Sequence, residues 1–313
     1  MNWYVEQAVE IQNARDNRPL AARSEQMTFS QTVLLGAVAG LTIFIGLPLG
    51  RIANLGKRTR IALAMFSVGV LCFLFVDVGA QMFSMIEDSV TGLREGKNGV
   101  GQTALYVVLA AGGFLLGSAG LAMLDRRLRV TPATLTPIAG GDPAATLSPA
   151  ETQAYVDEAE LARRAKLRTG LLIASAIGIH NLGEGLAIGV SARTGELSLA
   201  TVLVIGFALH NATEGFGIVG PLGNARPSWR WLGLAGLMAG SPVLLGTIIG
   251  WNVTAAPLEL ACFALAAGAI LYVIGEIWHA MARLGHREFA LLMLGAGFIV
   301  GVLTDLVVVY GGG

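Results

Sequence analysis

The sequence predicts an all-α polytopic membrane protein, and three observations support this fold class. Only 13% of the 313 residues are charged, about half the fraction expected of a soluble domain. The mean hydropathy is positive. The charges also cluster between long apolar runs. Because a membrane-crossing helix needs roughly 20 mostly apolar residues, each such run is predicted to be a span.

The apolar runs number eight, so the sequence predicts eight transmembrane helices. The sixth and seventh runs are separated only by Thr254-Ala255-Ala256-Pro257, which predicts a tight turn between them. The predicted spans cover residues 32–50, 61–86, 101–124, 169–190, 198–220, 232–253, 257–281 and 289–310.

Loop charges predict the orientation, because cytoplasmic loops of membrane proteins carry an excess of Lys and Arg. Four alternate loops carry most of the Lys and Arg residues, and the loops between them contain only Arg94, Lys97 and Arg193. The bias predicts a multi-pass protein of the cell membrane (inner or plasma), and an even span count places both termini outside the cytoplasm. The positively charged side comprises Arg51, Lys57, Arg58, Arg60, Arg126, Arg127, Arg129, Arg163, Arg164, Lys166, Arg168, Arg226, Arg230, Arg283 and Arg287.

This pattern divides the chain into five parts. Residues 1–31 lack an apolar h-region, so we expect an extracytoplasmic N-terminal segment and not a cleaved signal peptide. We expect residues 32–124 to form helices one to three and residues 125–168 a cytoplasmic loop. Residues 169–220 then form helices four and five, and residues 232–310 form the last three helices.

The long cytoplasmic loop has two parts of different composition. Residues 131–150 are rich in Pro, Gly, Ala and Thr, which is typical of a flexible segment. Ser148 and Glu151 then form a capping-box pattern, so we expect a helix over residues 148–167. The loop contains no histidine, and a histidine-rich metal-sensing segment is therefore absent from it.

Composition also excludes several functions. The net charge is zero, which argues against a nucleic-acid partner. The two cysteines, Cys72 and Cys262, lie inside apolar runs, so a disulfide framework is excluded. No Gly-Lys-Ser/Thr phosphate-binding loop is present. We therefore expect no ATP coupling and no prosthetic group.

One polar motif occurs twice within the predicted spans. His180-Asn181-Leu182-Gly183-Glu184-Gly185 recurs as His210-Asn211-Ala212-Thr213-Glu214-Gly215. In each copy the His and the Glu are four residues apart, so both side chains share one helix face. Ionisable side chains at membrane depth are costly and mark ion or substrate paths. The motif therefore predicts a functional site on the fourth and fifth spans.

If these spans pack together, two imidazoles and two carboxylates surround one point. Two carboxylates balance a divalent ion, and this ligand set suits zinc, iron, cobalt, nickel and manganese better than magnesium or calcium. Asn181 and Asn211 are turned about 100° from the histidines, so each is a candidate ligand of an adjacent position or a hydrogen-bonding support. The structural alternative, Glu bonding across to His, leaves two acids facing each other without a cation.

The motif pair resembles that of the ZIP (Zrt/Irt-like protein) family of divalent metal transporters, and the resemblance covers about residues 32–310. It implies eight spans in a 3+2+3 arrangement with a metal site between spans four and five. The primary ligands implied by position are His180, Glu184, His210 and Glu214. The resemblance also implies that Asn181 and Asn211 face a second position.

Four positions depart from the family's pattern. The family usually has proline before each motif glutamate, whereas this chain has Gly183 and Thr213. Gly permits a kink, and we expect the Thr213 hydroxyl to bond back to a carbonyl. Ala239 stands where the sixth span often supplies a glutamate. On the seventh span, the family's His-Glu pair is Gly275-Glu276 here.

Two further acids are predicted to lie on the ion's path. Asp77 lies mid-span in the second run, near where the family often has His or an acid, and is a candidate for the outer approach. The alternative for Asp77 is a bond to another helix's hydroxyl or amide. Glu276 is a candidate for the cytoplasmic exit.

The sequence thus predicts a non-enzymatic transporter that moves divalent transition-metal ions toward the cytoplasm. Zinc is the first candidate, with iron, cobalt, manganese and cadmium as alternatives, and the ion is substrate. Other predicted partners are the lipid bilayer and, optionally, a second copy in a homodimer. Two other functions stay open at this stage. One is an intramembrane zinc-dependent hydrolase, and the other is a metal sensor derived from a transporter.

Overall fold

A computed structural model describes residues 27–52, 56–128, 149–193, 197–253 and 255–310. Within these ranges every regular element is a helix and no strand occurs, which confirms the all-α fold class. The predicted N-terminal segment up to residue 26, most of the Pro- and Gly-rich stretch, and the Ser148 cap lie outside the described residues.

The described residues form eight long helices. The first, α1, includes a short 3₁₀ turn at its end, and α3 includes a π-helical turn at Leu116–Gly120. The helices are α1 (Phe29–Arg51), α2 (Lys57–Arg94), α3 (Val100–Leu128), α4 (Pro149–Arg193), α5 (Leu197–Val219), α6 (Trp229–Asn252), α7 (Ala256–Ala282) and α8 (Arg287–Tyr310).

Seven of these helices are long and apolar enough, over their described residues, to cross a membrane. The protein is therefore a multi-pass membrane protein. The 23-residue helix α5 is not one of the seven. The count of eight spans in a 3+2+3 arrangement stays a prediction.

Local sequence explains where several helices begin and end. Thr28 caps α1 in a capping box with Gln31, which starts the helix earlier than the predicted residue 32. Ser228 caps α6 by accepting a hydrogen bond from the Trp231 amide. Between α7 and α8, Gly285 and His286 both have positive φ, so the chain reverses sharply there.

Helix α4 differs most from the sequence prediction, because the loop helix and the fourth span form one continuous helix of 45 residues. Residues 150–169 contain neither Gly nor Pro, so nothing in them interrupts a helix. Exposed pairs of Glu160 with Arg163 and Arg164 modestly stabilise the N-terminal part of this helix. The segment predicted as a loop thus extends the site-bearing helix by several turns.

Close backbone contacts assemble the helices into two groups. In the first group, a Cβ added at Gly185 on α4 would meet the Val243 carbonyl on α6, and one at Gly246 would meet the Leu182 carbonyl. Gly40 on α1 and Gly240 on α6 face each other in the same way. Small residues allow such close approach in membranes. We call α1, α4, α5 and α6 the site body.

The second group, which we call the flank body, comprises α2, α3, α7 and α8. A Cβ at Gly69 on α2 would meet the Leu294 carbonyl on α8, and one at Gly117 on α3 would meet the Leu265 carbonyl on α7. At the glycines on the boundary between the two bodies, the nearest atoms of the other body belong to side chains. At Gly183 the nearest atoms are side-chain carbons of Ala266 and Phe263, at 3.7 and 3.9 Å from an added Cβ.

Two substitutions on α4 compare its tight backbone contact with α6 and its looser contact with the flank body. Gly185→Ala would place a methyl group against the α6 backbone. We expect the free energy of unfolding to fall by about 1–3 kcal/mol, which is the usual cost of overpacking. Gly183→Ala is the matched control two residues earlier and should leave stability nearly unchanged. Thermal unfolding of the purified protein in detergent measures both. Equal melting temperatures for the two variants would contradict this description of the packing.

Candidate metal site

The first copy of the motif lies on α4, in the middle of the protein. His180 and Glu184 are 1% and 6% exposed, respectively, although both side chains are ionisable. The His180 Nε2 atom lies 3.0 Å from Glu184 Oε1. The helix spacing of four residues therefore brings the two groups together on one face, as expected.

The second copy lies on α5 and faces the first. His210 Nε2 lies 2.6 Å from Glu184 Oε1, and His180 Nε2 lies 3.8 Å from Glu214 Oε1. His210 is 7% exposed and Glu214 is fully buried. The two helices thus bring both imidazoles and both carboxylates into one buried cluster.

Several polar atoms of this cluster have no hydrogen-bond partner among the residues that the structure describes. They include His180 Nδ1, Glu184 Oε2 and Glu214 Oε1. Leaving buried polar atoms unpaired is costly, and native structures seldom do so without a functional reason. Imidazole nitrogens that carry no proton and carboxylate oxygens are electron-pair donors, so atoms of this kind are able to bind a cation.

The cluster does not have the geometry of a metal-bound site. Among the residues that the structure describes, no three His, Cys, Asp or Glu side chains are arranged as a metal-binding group. Glu184 Oε1 contacts both imidazoles instead.

The two asparagines tie the motif helices to their neighbours. Asn181 Nδ2 donates to the Ala239 carbonyl on α6 at 3.0 Å and to Glu214 Oε2 at 3.4 Å. Asn211 Nδ2 donates to the Ala39 carbonyl on α1 at 3.1 Å. Both residues are fully buried, and their Oδ1 atoms lack partners. Each asparagine thus supports the fold through its nitrogen and keeps its oxygen available.

The departures from the family's pattern have visible structural results. Both motif helices run through Gly183 and Thr213 without interruption. The Thr213 hydroxyl donates to the His210 carbonyl at 2.7 Å, which confirms the predicted back-bond. Ala239 is fully buried. Its backbone carbonyl accepts a hydrogen bond from Asn181, and its side chain has no atom that could bind a metal.

A cavity joins the cluster to Asp77. It is lined by Asp77 and Gln81 of α2, His180 and Glu184 of α4, and Phe207 of α5, among others. Asp77 is half-buried and accepts a hydrogen bond from Gln81 Nε2 at 3.2 Å. The amide that contacts Asp77 therefore lies one turn along the same helix. The alternative predicted from the sequence had placed the partner of Asp77 on another helix.

Sequence reasoning missed Gln81 and Phe207. Gln81 could have been found, because it is an amide four residues after Asp77 within an apolar run. Phe207 packs against His210 with ring centroids 5.3 Å apart, and nothing in the sequence distinguishes it from a core phenylalanine.

The remaining predicted residue, Glu276, is half-buried near the C-terminal end of α7 and does not line the cavity that holds His180 and Glu184. Its part in an exit path stays a prediction. Cys72 packs with the hydrophobic core as a partly buried apolar side chain. This agrees with the usual behaviour of a buried free cysteine.

Comparison with known proteins decides the family. The profile of the ZIP Zinc transporter family matches residues 145–303, just over half of the chain and all of the motif helices. The chain belongs to the ZIP family. This membership favours transport over the intramembrane hydrolase that the sequence left open.

Two relatives of this ZIP protein span most of its length, and a third spans less than half of it. It is 26% identical to the zinc transporter ZupT of Streptococcus mutans over 277 residues, which covers 85% of this chain and 93% of the relative. The zinc transporter ZupT of Clostridium perfringens is 25% identical over 282 residues, covering 85% and 92%. The zinc transporter ZIPB of Bordetella bronchiseptica is 29% identical over 133 residues, covering 41% and 42%.

The asparagine contacts generate a stability prediction. Asn181→Ala removes the amide that donates to the Ala239 carbonyl and to Glu214, so these buried acceptors lose their donor. The free energy of unfolding should therefore fall by about 1–3 kcal/mol. Asn252→Ala is the control, because Asn252 is exposed at the end of α6 and donates only to the Ile248 carbonyl. Thermal unfolding in detergent measures both variants. If Asn181→Ala were as stable as Asn252→Ala, these buried bonds would have no structural importance.

Proposed function

We propose that this ZIP protein transports divalent transition-metal ions, with zinc as the first candidate, toward the cytoplasm. The observation that carries the proposal is the buried cluster of two imidazoles and two carboxylates at the contact of α4 and α5. His180, Glu184, His210 and Glu214 are its members, and several of their donor atoms lack partners. We propose these four residues as the primary metal ligands.

The chemistry of the cluster supports a zinc-like substrate. Zinc binds imidazole nitrogen and carboxylate oxygen readily, commonly in a four-coordinate arrangement. Two carboxylates offset the charge of one divalent ion, which otherwise would be strongly disfavoured in an apolar interior. The relatives that carry the name zinc transporter add support. Iron, cobalt, manganese and cadmium remain alternative substrates with the same ligand preferences.

Asn181 and Asn211 complete the proposed site. Their unpaired Oδ1 atoms are candidates for a neighbouring ion position, while their nitrogens hold α4 against α6 and α5 against α1. Ala239 supplies no side-chain ligand there. A second position would therefore depend on amide oxygens and shared carboxylates, and would bind more weakly than the first.

The cavity supports entrance from the extracytoplasmic side. Asp77 lines the cavity beside His180 and Glu184, and we propose it as the last acid that an ion meets before the cluster. On the predicted cytoplasmic side, a separate cavity lined by Arg60, Leu63 and Gly220, among others, includes no member of the cluster. There a Cβ added at Gly220 would lie only 2.9 Å from the Ala64 side chain. This asymmetry favours an outward-facing arrangement.

The division into two bodies supports a movement that carries the ion. The cluster lies within the site body, whereas Asp77 belongs to the flank body. Backbone contacts hold each body together, and side-chain contacts dominate the boundary. We propose that the site body slides against the flank body to expose the ion to the cytoplasm.

Two polar contacts across the boundary would have to break during that movement. Arg168 Nη2 lies 3.6 Å from Asp125 Oδ1, which is nearly fully buried. Arg60 Nη2 donates to Asn224 Oδ1 at 3.0 Å. Both contacts lie at the predicted cytoplasmic end, so they hold that side closed in this conformation.

The topological predictions accompany this proposal. We propose a location in the inner or plasma membrane with both termini extracytoplasmic, on the basis of loop charge. The proposed division assigns residues 1–31 outside, 125–168 to the cytoplasm and 169–220 to the metal-bearing helices. A homodimer is compatible with the sequence. Glu276, near the cytoplasmic end of α7, is the proposed exit residue.

Uptake of radioactive zinc into proteoliposomes tests the transport function. Glu184→Ala and Glu214→Ala should each lower uptake at least about tenfold, because each removes a carboxylate that offsets the ion's charge. Glu87→Ala is the control, since Glu87 is an exposed acid near the outer end of α2. Bound metal without uptake by the wild type would contradict transport and favour a sensor. Hydrolysis of a lipid or peptide abolished by the same substitutions would favour an enzyme.

A further inference from the structure

A second cavity lies further toward the predicted outer surface than the one that reaches the cluster. It is lined by residues of α2, α4 and α7, including Ser84, Ser191 and Glu259. Gln81, Ala187 and Phe263 line both cavities. The two cavities therefore meet at these three side chains, and together they reach from the outer ends of the helices to His180 and Glu184.

Glu259 is the charged side chain among the residues lining the outer cavity. It lies in the first turn of α7, directly after the turn that follows α6, and is half-buried. The other polar groups lining that cavity are the amide of Gln81 and the hydroxyls of Ser84 and Ser191. An ion entering the cavity therefore meets one formal negative charge before it reaches the three side chains that line both cavities.

We propose that Glu259 is the outer receiving residue for the divalent cation, which then passes Gln81 and Asp77 to reach the cluster. This inference rests on the proposed transport function and extends it to a residue that the repeated motif does not identify. A carboxylate in a narrow cavity with low-dielectric walls raises the local cation concentration. Glu259 and Asp77 belong to the flank body, and the cluster belongs to the site body. The ion would therefore cross the boundary between the bodies at Gln81, Ala187 and Phe263.

A structural role for Glu259 makes a different prediction. An acid in the first turn of a helix interacts favourably with the helix dipole, so Glu259 could serve only to stabilise α7. In that case its loss would lower the melting temperature and leave the apparent affinity for zinc unchanged. A receiving residue would do the opposite, because it acts on the capture of the ion.

Initial rates of zinc uptake into intact cells separate these roles, since added zinc meets only the outer face. Glu259→Gln should raise KM about three- to tenfold and leave the maximal rate nearly unchanged, as expected for the loss of one nearby charge. Glu259→Asp should restore most of the affinity. Glu87→Gln, the matched loss of an exposed acid outside the lining of either cavity, should change KM less than about twofold.

Three results would overturn the inference. An unchanged KM in Glu259→Gln would do so, and so would an equal rise in Glu87→Gln, which would indicate only a general surface charge. A fall in melting temperature and maximal rate at constant KM would assign Glu259 to the helix end. If the wild type itself took up no zinc, the transport function would fail, and this inference would fail with it.

Discussion

One carboxylate oxygen connects the two copies of the motif. Glu184 Oε1 lies 3.0 Å from His180 Nε2 on its own helix and 2.6 Å from His210 Nε2 on the next. In an apolar interior such groups are tolerated only when they have partners or a bound ion. The need to keep this cluster together therefore constrains how α4 and α5 pack. It also explains why Asn181 and Asn211 anchor both helices to α6 and α1.

The packing of the helices places the proposed metal ligands in the site body and the proposed entrance residues in the flank body. Glycine-mediated backbone contacts lock α4 against α6 and α2 against α8, whereas Gly183 meets only side-chain carbons across the boundary. The same glycine stands where the family usually has proline. In this chain α4 is uninterrupted through the motif, and the looser contact beside the proposed metal ligands lies at the boundary between the bodies. Access to the cluster then depends on how the bodies are placed relative to each other.

Much of the site followed from the sequence, because helix periodicity is a local property. Spacing alone placed His180 and Glu184 on one helix face, and likewise His210 and Glu214, and the sequence predicted that packing of the two spans would bring the pairs together. The Thr213 back-bond followed from the chemistry of its hydroxyl. The bridging position of Glu184 did not follow, since it depends on the relative placement of two helices.

Other features of the site could be found only from the three-dimensional structure. Gln81, Phe207 and Glu259 line cavities formed by helices far apart in sequence, and each residue type is ordinary at its position. The loop helix and the fourth span form one helix because residues 150–169 contain no helix breaker. The sequence analysis treated the loop and the span as separate segments and did not predict this continuity. Membership of the ZIP family identifies the general function, while these residues describe how this chain can perform it.

X-ray absorption at the zinc edge of the zinc-loaded protein is the sharpest test of the four proposed ligands, because it reports the ligands themselves. We expect about two imidazole nitrogens at about 2.0–2.1 Å, carboxylate oxygens at similar distances and no sulfur near about 2.3 Å. His210→Ala should remove one imidazole from the spectrum, whereas His279→Ala, a change at an exposed histidine, should leave it unaltered. A wild-type spectrum without imidazole, or an unchanged spectrum in His210→Ala, would contradict the proposed site.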